Sequence, residues 1–199
     1  SSYTFEAVSQ NHTIEVIFTK ITYTITATAD ENGRISPNGE VVAEYGTSKT
    51  FEFIPNDGYM LDEVKVDGVV VEVSDNKYMF ENITQEHTIT VTFKIQTFTV
   101  TANCTFGGAI NPSGEAIVEY GSSKTYTITP MQGYEIASIK INNKEVEKTT
   151  TLVLENITEN KAVEVEFVKT KYTITVVCGE GGTITPQTQQ VEFGSSITF

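Results

Sequence analysis

The stretch FENITQEHTITVTF, residues 80–93, decides how this chain is read, because it returns as LENITENKAVEVEF at 154–167 and FEAVSQNHTIEVIF at 5–18. A phrase recurring at one spacing marks a tandem repeat, and every later assignment depends on finding that period first.

Other landmarks keep the same phase. YGTSKTF from Tyr45 returns as YGSSKTY from Tyr120 and FGSSITF from Phe193; PNDGY ending at Tyr59 returns as PMQGY ending at Tyr134. GRISPNGE at Gly33, GAINPSGE at Gly108 and GTITPQTQ at Gly182 agree, giving a repeat of about 75 residues. The chain parses into residues 1–20 (the C-terminal part of a repeat), complete repeats at 21–94 and 95–169, and residues 170–199 (the N-terminal part of another).

Period-two alternation runs through each copy. In the first, Tyr23–Ala29 alternates apolar residues with Thr, and Thr88–Phe93 places Ile89, Val91 and Phe93 on one face, as half-buried strands do. Thr50–Pro55, Glu63–Val66 and Tyr78–Asn82 add strands, and Asp67-Gly68 and Asn142-Asn143 suit two-residue hairpin turns that need positive φ. No window holds a 3.6-residue apolar period, so little helix is expected. The expected fold is all-β: a tandem, rod-like array of small antiparallel modules, β-sandwich in form, each with an aromatic core that in the first copy includes Phe51, Phe53, Phe80 and Phe93. Between Phe93 and Phe98 stand only Lys94, Ile95, Gln96 and Thr97, with no Gly or Pro, so the joints should be stiff.

Charge and composition exclude several functions. With 13 Lys+Arg against 26 Asp+Glu the net charge is −13, which repels nucleic acid and anionic lipid. No apolar run approaches the roughly 18 residues of a membrane span, so no membrane insertion is expected in this segment. The charge is uneven, 13 acids against 5 bases in residues 21–94 but 9 against 6 in 95–169, which reads as solvated surface.

Chemistry-bearing residues dissolve into the repeat. His12 and His87 are equivalent positions that become Lys161 in the third version of the phrase, so they read as turn-exit residues. Cys104 and Cys178 are also equivalent, matched by Ala29; one module apart they are too distant for a disulfide, and they are expected to be free and largely buried. The acids of Asp30–Gly33 and Asn56–Glu63 could gather around Ca²⁺, but neither set recurs. CGEGGT at Cys178 lacks the Gly-Lys-Ser/Thr of a phosphate loop and reads as a turn. Tyr45, Tyr59, Tyr120 and Tyr134 flank glycines and read as core or rim packing rather than a sugar platform. The reading is a non-enzyme with no catalytic residue, no cofactor and no metal site.

The ordered pattern YTITA, G-x-I-x-P, EYG-S-KTF, P–GY, VDG and FENIT–HTITVTF resembles the divergent internalin-type B-repeat, the bacterial repeat domain, over essentially the whole chain. The resemblance implies a β-grasp-like module as the alternative to a sandwich, and extracellular modules of secreted or wall-attached bacterial proteins, used as stalks or spacers of adhesin-like or fibre-forming molecules, without catalytic residues. The alternative is an adhesin module whose variable loops bind a glycan or host protein. On this phase Ser1 aligns with Asn76 and Phe199 with Phe51. The end segments are therefore expected to be completed by strand pairing with neighbouring repeats or copies of the same protein.

Overall fold

The computed structural model describes residues 2–199. By their internal contacts they form two units, one of residues up to 54 with 61–92, the other of residues 55–60 with 93–199. No helix occurs among the described residues, and none is long and apolar enough to cross a membrane.

The first repeat runs β1 (Thr22–Ala29), β2 (Gly33–Ser36), β3 (Gly39–Glu44), β4 (Lys49–Pro55), β5 (Tyr59–Val66), β6 (Val69–Val70), β7 (Lys77–Phe80) and β8 (His87–Ile95). The second repeats the order as β9 (Thr97–Cys104), β10 (Gly108–Asn111), β11 (Gly114–Glu119), β12 (Lys124–Pro130), β13 (Tyr134–Ile141), β14 (Lys144–Val146), β15 (Thr151–Leu154) and β16 (Lys161–Lys169). Last come β17 (Lys171–Ile174) and β18 (Gln189–Glu192), an antiparallel pair.

Each repeat builds two sheets. In the first the orders are β3-β1-β8-β5-β6 and β2-β4-β7; in the second they are β11-β9-β16-β13-β14 and β10-β12-β15. In the second repeat, inward residues of the larger sheet (Val100, Ala102, Ile139, Val163, Val165, Phe167) join those of the smaller (Ile110, Tyr126, Ile128, Leu152, Leu154) in one core. The module is therefore a two-layer sandwich. Thr on the outer face of β1 and β8 fits the strand without exposing much apolar area.

The expected strands are present, with one difference in pairing. The first and last strands of a repeat lie side by side and parallel: Ile25 pairs with His87 and Val100 with Lys161. Alternation fixes which face a residue occupies but not which strand lies next to it.

The repeated phrase at residues 80–93 folds as a turn and then the central strand, β8. Asn82 and Asn156 take positive φ (49° and 48°), and Ala7, at the equivalent place, takes 48°. Ile83 and Ile157 follow, buried. Their backbones bond the Tyr-Gly turn in both directions: Gly46 N donates to Ile83 O and Ile83 N to Thr47 O, as Gly121 N does to Ile157 O and Ile157 N to Ser122 O. Residues 2–21 carry the phrase but form no strand, although the rings keep the local pairing. Phe5 meets Tyr3 at 5.0 Å and His12 at 4.8 Å, as Phe80 meets Tyr78 and His87 at those distances.

The hairpin turns form as expected, with Asp67 and Gly68 at φ 49° and 79° and Asn142 and Asn143 at 50° and 64°. Each turn is also tied to the last strand. Asp67 N donates to Thr88 O while Thr88 N donates to Asp67 Oδ1 at 2.7 Å; Asn142 N donates to Ala162 O while Ala162 N donates to Asn142 Oδ1 at 2.8 Å. His87 Nδ1 lies 2.7 Å from Asp67 Oδ2. Partial burial alone would raise the Asp67 pKa, but the bonds from Thr88 N and His87, with His87's charge, outweigh it and lower the value.

The Tyr126 hydroxyl is buried with no hydrogen-bond partner, where the first repeat has Phe51, so Tyr126→Phe should stabilise the fold by about 1 kcal/mol in urea unfolding. Asp67 ionises more readily folded than unfolded, so its contribution is complete above about pH 4 and declines as pH falls through the lower folded value. Asp67→Asn keeps the turn and the acceptor for Thr88 N, as Asn142 shows. It should therefore flatten that acid limb of the stability curve while costing little at pH 7; an unchanged limb would contradict the assignment.

Candidate functional site: the joint between repeats

Only one residue separates the last strand of a repeat from the next first strand: Gln96 between β8 and β9, Thr170 between β16 and β17. Both peptide groups of that residue are bonded. Gln96 N donates to Gly58 O at 2.8 Å and Gln96 O accepts from Tyr120 N at 2.9 Å; Thr170 N donates to Gly133 O at 2.9 Å and Thr170 O accepts from Phe193 N at 2.9 Å. All these residues lie in the second unit.

The glycine is held by its loop. In Pro55–Tyr59 the Tyr59 N–H returns to Asn56 O at 3.0 Å, and in Pro130–Tyr134 the Tyr134 N–H returns to Met131 O at 3.0 Å, each turn placing its glycine at φ 79°. That conformation suits glycine, and an aromatic ring lies where a side chain would begin. A Cβ on Gly58 would fall 2.5 Å from the Tyr120 ring, and one on Gly133 would fall inside the space of the Phe193 ring. The Tyr-Gly and Phe-Gly turns supply these rings, and Tyr120 leans on Phe98 at 6.3 Å.

Side chains reinforce the first joint. Tyr120 donates its hydroxyl to Asp57 Oδ2 at 3.0 Å, and Gln96 Nε2 donates to Tyr59 O at 3.0 Å. The Asp57 hydrogen bond, then burial, then the carboxylate charge raise the Tyr120 pKa. The neutral phenol, and with it this bond, therefore persists until pH rises through that elevated value. In the other joint Gln132 and Phe193 stand at these two positions, so the ring contact and backbone bonds are what the joints share.

The other singled-out residues fall elsewhere. Tyr59 and Tyr134 are half-buried, Tyr120 packs in the joint, and Tyr45 is exposed. His87 sits at the turn exit against Phe80. Asp30 accepts from Asn32 N within its own turn and Asp57 holds Tyr120, so the two acidic stretches are used separately. Among the described residues no three His, Cys, Asp or Glu side chains are grouped to hold a metal.

The cysteines correct one expectation. Both are free, but both are exposed rather than buried. Alternation would turn Cys104 inward after Val100 and Ala102, but it is the last residue of β9. There the sheet opens into a groove bordered by Ser138, Lys140 and Glu164, beside the irregularity between Ile136 and Ser138 in β13. Cys178 follows the end of β17, in a stretch without strand, with Sγ 3.1 Å from Gly182 O.

Gln96, Asp57 and Tyr120 were each named in the sequence, but for separate reasons, and nothing there brought them together with Gly58 or Gly133. Their signal was present: P-x-x-G-Y recurs with the Tyr-Gly or Phe-Gly turn that receives it. Gly133→Ala should destabilise by about 2 kcal/mol, through left-handed strain and collision with Phe193. The loss should be local. Hydrogen exchange at Thr170 N should accelerate while the Val163 and Val165 amides in the core strand stay protected, and uniform acceleration would count against a local joint.

No curated protein matches the chain. The family model of the divergent InlB B-repeat domain matches twice, over residues 23–97 and 98–171, and this family is associated with bacterial surface proteins. With two all-β repeats covering most of its length, the chain belongs to the divergent InlB B-repeat family.

Proposed function

We propose that the chain is a structural spacer, a length of stalk in a secreted or cell-surface bacterial protein of adhesin-like or fibre-forming type. The observation that supports this is the one-residue joint with both peptide groups bonded and a glycine seated on an aromatic ring, built twice from the same parts. A spacer has to keep its length, and a joint of this kind removes the backbone freedom that a Gly/Ser linker supplies. The family's typically non-catalytic character agrees with a mechanical role.

The exposed thiols offer a direct test. Nitroxide labels on Cys104 and Cys178, equivalent positions in successive copies, should give a single narrow distance distribution by pulsed electron resonance. Gly133→Ala should broaden it. A distribution as wide as that of a flexible tether in the unsubstituted chain would overturn the spacer reading.

A further inference from the structure

Tyr45 and Ile21 reproduce the receiving half of the joint. Tyr45 N donates to Ile21 O at 2.9 Å, the bond that Tyr120 makes to Gln96 and Phe193 to Thr170. The ring already stands in the docked pose: Tyr45 lies 6.4 Å from Tyr23 at 45°, and Tyr120 lies 6.3 Å from Phe98 at 45°. What differs is cover. Tyr45 is 58% exposed and Ile21 63%, whereas Tyr120, Gln96 and Thr170 are partly buried. Among the described residues no glycine carbonyl accepts from Ile21 N.

We infer that the Tyr45–Ile21 face is a socket for a P-x-D-G-Y loop carried by another repeat of this family. Glycine is required because the ring occupies the place of a Cβ, as at Gly58 and Gly133. An acid before the glycine is preferred because the socket presents a phenol, as Tyr120 does to Asp57; the socket with Phe193 receives a loop with Gln132 instead. The loop glycine carbonyl accepts from Ile21 N, completing the bond seen at Gln96 and Thr170. The socket deepens the spacer reading by naming what a further repeat grips.

The test places a second copy of residues 21–75 ahead of residue 1 of the full chain, so that residues 1–20 continue it in phase. The Ile21 amide should then exchange slower by on the order of tenfold or more. Gly→Ala in the added loop should abolish that protection. Unchanged exchange at Ile21 beside a protected upstream repeat overturns the inference, as does protection that survives Gly→Ala.

Should the added repeat not fold, a synthetic peptide of residues 54–61 is titrated into the unmodified chain. Shifts confined to the signals of Ile21 and Tyr45, weakened by Asp57→Ala in the peptide and lost in a Tyr45→Ala chain, support the socket. No shift at millimolar peptide overturns it. The nitroxide distances do not involve Tyr45, so the spacer reading and the socket can fail separately.

Discussion

A single residue with no unbonded peptide group is the constraint on which the rest of this structure depends. Gln96 and Thr170 each give their N–H to a glycine carbonyl and take the N–H of an aromatic residue. A linker is flexible because its φ and ψ are unconstrained and its peptide groups bond to water; neither condition holds here. The glycine adds a steric term, since its missing side chain lets the backbone lie on the ring at a separation no other residue permits.

The parallel pairing of first and last strands makes so short a joint workable. β1 and β8 are neighbours in one sheet and run the same way, as do β9 and β16. A chain built so enters its module at one end and leaves at the other. Antiparallel closure would return it to the entry end and require a long connection before another repeat could begin. The cost is a non-local contact, since the two strands are separated by almost the whole repeat. The Asp67 and Asn142 turns help to offset it by bonding the start of the last strand from a hairpin nearby in sequence.

Much of the strand layout was legible because Thr alternating with Ile, Val and Phe admits one face assignment, and Asp67-Gly68 and Asn142-Asn143 admit one kind of turn. The shortness of the joint and its lack of Gly and Pro were legible between Phe93 and Phe98, but the bonds that hold it were not. The glycines responsible sit in loops far back along the chain and look, in sequence, like ordinary turn residues. Cys104 was misjudged for a related reason: alternation predicts a face, whereas burial also depends on what covers the position, and Cys104, the last residue of β9, borders an open groove. Residues 2–21 give the complementary case. Phe5, Tyr3 and His12 keep their local ring contacts without any strand, so these belong to the phrase, while a strand needs another strand to pair with.

The two joints show which parts of the contact are fixed by shape and which are chosen. Tyr120 donates to Asp57 a hydrogen bond that Phe193 has no hydroxyl to make, yet the glycine, the aromatic ring and the backbone bonds are common to both joints. A hydroxyl bonded to a carboxylate at the surface competes with water and adds little stability. What it can add is preference, because an acid facing a phenol is matched and an acid facing the Phe193 ring is not. Backbone and glycine thus set the geometry that any copy must satisfy. The pair at positions 57 and 120 can vary between joints without altering it, which is how repeats of one fold could come to differ in the neighbour each accepts.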